Sequence, residues 1–477
     1  MIEVSEKIFN YLSSLFGEQS AKEYVEFIKR EPTTYIRVNT LKTTTGMLAN
    51  KLQTGYGVTT ETIPNIPDTL KVISGKEVIG KTVEHIIGDY YIQGLSSMIP
   101  PLILSPLSGD KVLDLCAAPG SKTTQLGGMM LNKGILLANE IALDRVKMLV
   151  YNIDRMNLMN AGVLHYKGEM LSKIYDDYFD KILVDAPCSG LGIIQKKGEV
   201  SNWWSLERAE RLGDLQLRLL IAAIKMVKTG GEIVYSTCTL TPEENEFIID
   251  KILQKYPVEI LDIELPVKSI EGFTSYEGAA LNPAISKARR IIPWQADTDG
   301  FFVVKLRKTA GLPSPEKLQL KSNPLKLING NKKEISKLLK NLAAHFGIHE
   351  EVFFGYSYLI KNTDLFFINN AWHDDNLSLF ERVGTRFGII DRNDQINMHT
   401  QAAQILSENI SRHIFEINTT DDLKIYLEGG VIKTSYIEPG QCIVKYKGSV
   451  LGTAVVTSSG IKSRFPRAKR TQEIIYY

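Results

Sequence analysis

The stretch Asp114-Leu115-Cys116-Ala117-Ala118-Pro119-Gly120-Ser121-Lys122-Thr123 decides the fold class. Lys111-Val112-Leu113-Asp114-Leu115 reads as a short buried strand, the small residues after it as a tight turn, and Lys122 to Met130 as a helix. At the carboxyl end of a parallel strand such a turn borders a ligand crevice. Small residues let a ligand approach the backbone, and a helix start offers unpaired N–H groups. Glu140 closes a second strand-like run, Gly134 to Glu140, at the place where an acidic residue bonds ribose hydroxyls.

Outward from this unit the alternation continues. Asp180 to Asp185 and Gly231 to Thr237 read as further strands, with helical patterns at Ala142 to Met156 and Leu206 to Val227 between them. Phe301 to Leu306 reads as a late strand of the same sheet. Strands alternating with helices predict βαβ units and a parallel sheet. The turn has one glycine and lacks the G-x-G-x-x-G that cradles a pyrophosphate. A phosphate-free nucleoside, S-adenosylmethionine, suits it better than NAD; the competing reading is a plain strand-to-helix turn.

Two cysteines follow strand ends. Cys188 lies in Asp185-Ala186-Pro187-Cys188-Ser189-Gly190, and Cys238 in Thr237-Cys238-Thr239. Free cysteine is often only a small buried hydrophobe, but two at one sheet edge beside a methyl donor have a chemical use. A thiolate adding to carbon 6 of a pyrimidine makes carbon 5 nucleophilic, so that it takes a methyl group. Lys122 and nearby helix termini are candidates to favour the thiolate, and Asp185 to protonate the ring nitrogen.

DLCAAPGSKTTQL, DAPCSGLG and YSTCTLTPEENE, in this order, resemble the RNA cytosine-5 methyltransferases of the Nop/Sun (NSUN, RsmB/RsmF) family. Tyr35-Ile36-Arg37-Val38-Asn39-Thr40, Tyr91-Ile92-Gln93 with Ser96-Ser97, and Asp299-Gly300-Phe301-Phe302 support the resemblance, which covers about residues 30–308. It implies that Cys238 is the nucleophile and that Cys188 assists release of the covalent adduct. DNA cytosine methyltransferases attack with a Pro-Cys cysteine instead, which would leave Cys238 without a role. The cofactor residues carried over are Cys116, Ala117, Ala118, Pro119, Gly120, Ser121, Lys122, Glu140 and Asp185. Two positions depart. Lys167 stands where relatives have an aspartate for the adenine amino group, with Glu169 close by, and Trp294 stands where a histidine is common.

The expected architecture is a Rossmann-like doubly wound α/β methyltransferase core over residues 101–308. An α+β RNA-recognition region over 1–100 precedes it; a basic linker over 309–340 and an α+β domain over 341–477 follow. The last domain resembles, more weakly, the PUA-like extension of the RsmF type, through Gly440-Gln441-Cys442-Ile443-Val444, Gly448, Leu451-Gly452 and the Lys462 to Arg470 stretch. Cys442 to Thr457 reads as a hairpin turning at Lys447-Gly448. Lys462, Arg464, Arg467, Lys469 and Arg470 with Phe465 among them suit phosphates and a stacked base. Trp203-Trp204 reads as packing for the Cys188 loop rather than as a base pocket.

Composition sets the bounds. The chain has 477 residues, 44% apolar and 23% charged, which excludes global disorder and a coiled-coil rod. No apolar run reaches membrane length, and a soluble cytoplasmic protein is expected. Net charge is only +2, but 308–340 and 431–477 each carry eight basic against two acidic side chains, which points to a polyanion. Four dispersed cysteines and seven histidines show no metal spacing, so no metal is assigned. The expected substrate is structured RNA, ribosomal RNA or the small ribosomal subunit first and transfer RNA second, with no DNA and no membrane. A non-catalytic RNA-binding ribosome assembly factor is the alternative.

Overall fold

The computed structural model describes residues 4–313, 316, 318, 325–435, 438–470 and 473–475. Pro315 and Pro324 of the expected linker lie outside them. Among the described residues ten strands make the central sheet: β1 Lys111–Asp114, β2 Ile135–Asn139, β3 Ala161–Leu164, β4 Phe179–Asp185, β5 Val227–Thr237, β6 Val258–Leu261, β7 Ile270–Glu271, β8 Arg289–Ile291, β9 Phe301–Lys308 and β10 Phe380–Val383. Their order is β7-β8-β9-β5-β4-β1-β2-β3-β10, with β6 also paired to β9. Strands β1 to β5 are mutually parallel, and β9 runs antiparallel to β5. The winding reverses between β1 and β4, so the crevice at their carboxyl ends is the natural ligand site.

Both faces of this sheet are covered, which is why its strands read as unbroken apolar runs. Leu113, Leu137, Ile182, Val184 and Tyr235 point to one face and pack with Leu219, Leu220 and Ala223 of α3 (Leu206–Met226). Their neighbours Val112, Leu136, Leu183 and Val234 point to the other, against Leu126 of α1 (Ser121–Met129) and Leu149 of α2 (Leu143–Arg155). The two-residue period of a strand sorts each run between two cores.

Strand β3 has no counterpart in the sequence reading, because Gly162 weakens its pattern. A Cβ there would stand 2.6 Å from Trp372 and 2.7 Å from Phe380. Those aromatic rings come from the carboxyl-terminal half, whose strand β10 pairs antiparallel with β3. The half expected to form a separate unit thus lends the core its edge strand. The stretch expected as linker also ends early: a strand lies at Ile328–Asn329, and a helix runs over Lys333–Phe346.

Apart from β10, the described residues of the carboxyl-terminal half form two five-stranded sheets. The expected hairpin is Gln441–Tyr446 with Ser449–Thr457, and Lys447 and Gly448 both hold positive φ at its two-residue turn. The Lys462 to Arg470 stretch differs from expectation. Phe465 is buried against Tyr426, at 5.8 Å between ring centroids, and is unavailable to stack on a base. Lys469 is buried, with its Nζ donating to Ile86 O at 2.9 Å, and Arg470 donates to Phe465 O. Lys462, Arg464 and Arg467 stay exposed. The spacing of a surface strip and of a docked one is the same in sequence; the contact with Ile86 decides between them.

The amino-terminal region holds helices at Glu6–Phe16 and Glu18–Ile28 and a four-stranded sheet that includes Tyr35–Val38 and Tyr90–Ile92. Arg37 crosses from that sheet to the core, donating to Thr124 Oγ1 of α1 at 2.8 Å. Trp294 packs edge-on against Phe16 and Tyr24, each at 5.6 Å, so it fastens these helices to the core. Among the described residues no helix is long and apolar enough to cross a membrane.

Candidate active site

A cleft of about 860 Å³ opens at the carboxyl ends of β1, β2, β4 and β5. Cys116 to Pro119, Ser121 and Lys122 form one wall, with Glu140 beside them. Gly120 starts α1 at φ 106°, a conformation that favours glycine, and a Cβ there would come within 3.1 Å of Leu149. Glu140 is buried, held by Ala142 N–H at 2.9 Å and Arg145 at 3.1 Å. Lys167 is exposed and outside the cleft, whereas Gly168 and Glu169 line it.

Lys122 reaches the opposite wall. Its Nζ donates to Asp185 Oδ2 at 2.7 Å and to Ser97 Oγ at 2.9 Å. Ser236 Oγ donates to the other oxygen of Asp185 at 2.9 Å. Lys122 is thus bonded to Asp185 rather than to either thiol. Asp114, behind the turn, is fully buried, and desolvation pushes its carboxyl up to about 7. Burial also pushes the Cys116 thiol well above its usual range, so it has no pull towards thiolate.

The two remaining thiols meet. Cys188 Sγ and Cys238 Sγ are 3.1 Å apart, and Cys238 N–H donates to Cys188 Sγ at 3.3 Å. The contact with Cys238 and burial hold the Cys188 thiol well above its usual range, with help from the charges of Glu244 and Asp185.

Glu244 went unassigned in the sequence reading, although it lies in the quoted TPEENE run. It is wholly buried, and its oxygens accept from Ser189 N–H at 2.8 Å, Gln216 Nε2 at 2.9 Å, Thr241 Oγ1 at 2.7 Å and Ser189 Oγ. It ties the loop after Cys188 to the loop after Cys238. Nothing in a local polar run signals this, because the donors come from three separate segments. Glu244→Ala would take a buried acceptor from four hydrogen bonds, and Ser189 N–H would lose the one side-chain acceptor described for it. The expected cost is about 2–4 kcal/mol, read as a lower melting temperature of the protein. An unchanged melting temperature would remove Glu244 from this role.

Trp203 and Trp204 part company. Trp204 is buried, donates to Ser189 Oγ at 3.3 Å and packs on Tyr11. Trp203 lines the cleft. Lys196 also faces the cleft, paired with Asp299 at 2.6 Å. Cys442 lies in a strand of the last sheet, buried and remote from the cleft, and its thiol is pushed up to about 12.

Comparison with known proteins bears directly on this arrangement. Residues 101–307 match the family profile described as 16S rRNA methyltransferase RsmB/F. Ribosomal RNA small subunit methyltransferase F of Shewanella piezotolerans is 30% identical over 96% of this chain and 95% of its own length. The chain belongs to the RsmB/F methyltransferase family. A tRNA (cytosine(49)-C(5))-methyltransferase of Pyrococcus abyssi is 34% identical over 64% of this chain and 97% of its own. A solved methyltransferase homologue from Pyrococcus horikoshii superposes with a TM-score of 0.57 and 32% identity, covering 64% of this chain and all of its own.

The cleft's donor set fits the methyl donor of such an RsmB/F enzyme. A ribose needs hydroxyl acceptors, and Glu140 supplies a buried carboxylate. Ala117 and Ala118 give a close apolar floor.

Proposed function

We propose that this RNA cytosine-C5 methyltransferase acts on ribosomal RNA, using S-adenosylmethionine and a covalent cysteine adduct. The observation that carries the reading is the pair of thiols in contact at 3.1 Å within the cleft that Glu140 and Lys122 also line. When bound, S-adenosylmethionine supplies an electrophilic methyl on a sulfonium. Cys116 to Lys122 shape its cradle, Glu140 takes the ribose hydroxyls, and Glu169 stands in for the missing aspartate at the adenine.

Cys238 as thiolate adds to carbon 6 of a cytosine drawn out of its stack. Asp185, fed by the Lys122 ammonium, holds a proton at the ring nitrogen and so takes up the negative charge. Carbon 5 would then take the methyl group as that group's bond to the sulfonium sulfur breaks, the electron pair leaving on sulfur. A base removes the proton from carbon 5, the carbon 6–sulfur bond breaks, and Cys238 leaves as thiolate. Cys188, whose sulfur lies against that of Cys238, assists that release.

The near full-length similarity to a small-subunit ribosomal RNA enzyme favours ribosomal RNA. Transfer RNA is the second reading, favoured by the relative from Pyrococcus abyssi. The carboxyl-terminal sheets serve as a PUA-like RNA-binding part, with Lys462, Arg464 and Arg467 facing phosphates. Four unbridged thiols suit a reducing cytoplasm.

A tritium-methyl transfer assay tests this. Purified small subunits, naked ribosomal RNA and bulk transfer RNA would come from a strain lacking the gene. Labelled 5-methylcytosine is expected in a ribosomal pool. Label only in transfer RNA would replace the substrate, and no label with no cofactor binding would leave an assembly factor.

A further inference from the structure

The cleft is also lined by Ile193, Lys196, Lys197, Val200 and Trp203, which the reaction does not use. Trp203 ends the short helix Val200–Trp203 and is 37% exposed, whereas Trp204 beside it is 5% exposed. The difference follows from anchoring. Trp204 is fixed to Ser189, the residue after Cys188, and to Tyr11. That anchor holds the chain close to the thiol loop and leaves the Trp203 ring in the cleft wall.

The Arg208 guanidinium lies over the Trp203 ring at 4.2 Å. One face of the indole is thereby backed by a cation, and the helix end is stiffened through α3. Cations stand on the same wall: Lys196, shared with Asp299, and Lys197, exposed and with no ion pair among the described residues. An aromatic face with lysines alongside is the chemistry of a single-stranded nucleic-acid subsite, where a base stacks and phosphates meet ammonium groups. A lone exposed aromatic is ordinary on a protein surface. One held in the wall of a reaction cleft, by the loop that carries a reacting thiol, is not explained by chance exposure.

We infer that Trp203 is the stacking platform for a nucleobase flanking the target cytosine, with Lys196 and Lys197 beside that nucleotide's phosphate. The inference rests on the RNA reading of the same cleft. The flanking base, and not the target itself, is the occupant because the target's carbon 6 must lie against Cys238. Trp203 lines the same cleft and is exposed, open to the nucleotide beside the target.

Intrinsic fluorescence isolates this residue. The chain has four tryptophans; Trp204 and Trp372 are buried, and Trp294 is packed against Phe16 and Tyr24. An oligocytidylate octamer is expected to quench the emission of the full-length protein, and Trp203→Phe is expected to lose most of that quench. Trp203→Ala should bind a fluorescein-labelled octamer about tenfold more weakly, which is about 1.4 kcal/mol. Trp203→Phe, which keeps a ring, should stay within about threefold. Equal octamer binding by wild type and Trp203→Ala, with unchanged melting, would overturn the platform. Equal quenching by cytidine monophosphate and by the octamer would give Trp203 to the target base and overturn the flanking assignment. An octamer that binds no variant, in a protein that methylates no RNA, would instead bring down the RNA reading on which the platform stands.

Discussion

Cys238→Ala is expected to abolish methyl transfer, by about 10⁴-fold or more, while S-adenosylmethionine binding persists. Loss of a covalent nucleophile is among the largest single-residue effects in catalysis. The family resemblance is what places the attack at Cys238. The contacts around Cys188 oppose its ionisation: it meets the Cys238 thiol, is buried, and has the Glu244 and Asp185 carboxylates near it. Cys238 is not among the residues assigned to the cofactor, Cys116 to Lys122, Glu140 and Asp185, so cofactor binding is expected to survive its loss. Turnover within tenfold of wild type in the tritium assay would sink the nucleophile assignment. Loss of cofactor binding, read by calorimetry, would show that the variant disturbs the cleft instead.

Cys188→Ala is expected to trap the protein on its RNA. If Cys188 assists elimination, its loss leaves addition and methyl transfer intact and slows the final carbon–sulfur cleavage. Protein incubated with RNA and cofactor should then run as a slow band in a denaturing gel, a near-total shift rather than a change in affinity. The thiols are 3.1 Å apart, so a single small side chain separates the two outcomes. A slow band from Cys238→Ala and none from Cys188→Ala would reverse the two roles. Doubling the variant, Cys188→Ala with Cys238→Ala, should abolish the band, because no sulfur then remains to form the adduct.

Much of this site was legible in local sequence. The strand-turn-helix at Asp114 to Thr123, the placement of Glu140 and the cysteines after β4 and β5 are all consequences of short-range pattern. Buried parallel strands read as apolar runs, and a ligand crevice lies at their carboxyl ends. The similarity to Shewanella and Pyrococcus enzymes extends that legibility to the family.

Other features were hidden because they depend on distant segments. Glu244 is one acidic residue in a polar run until Ser189, Gln216 and Thr241 converge on it. Phe465 looked free to stack and is buried instead, because Tyr426 packs against it. Strand β3 was obscured by the glycine that makes room for Trp372 and Phe380.

By itself, the sequence determined four of the five parallel strands, the two thiols that follow them and the chemistry those thiols can perform. Such features follow from periodicity and from residue type. Only the tertiary structure decided which of two adjacent tryptophans enters the cleft, which basic residues of the tail stay in solvent, and that a strand from residues 380–383 closes the core sheet. Each of those depends on where a remote segment docks. Burial is a property of the packed neighbours and not of the residue that is buried.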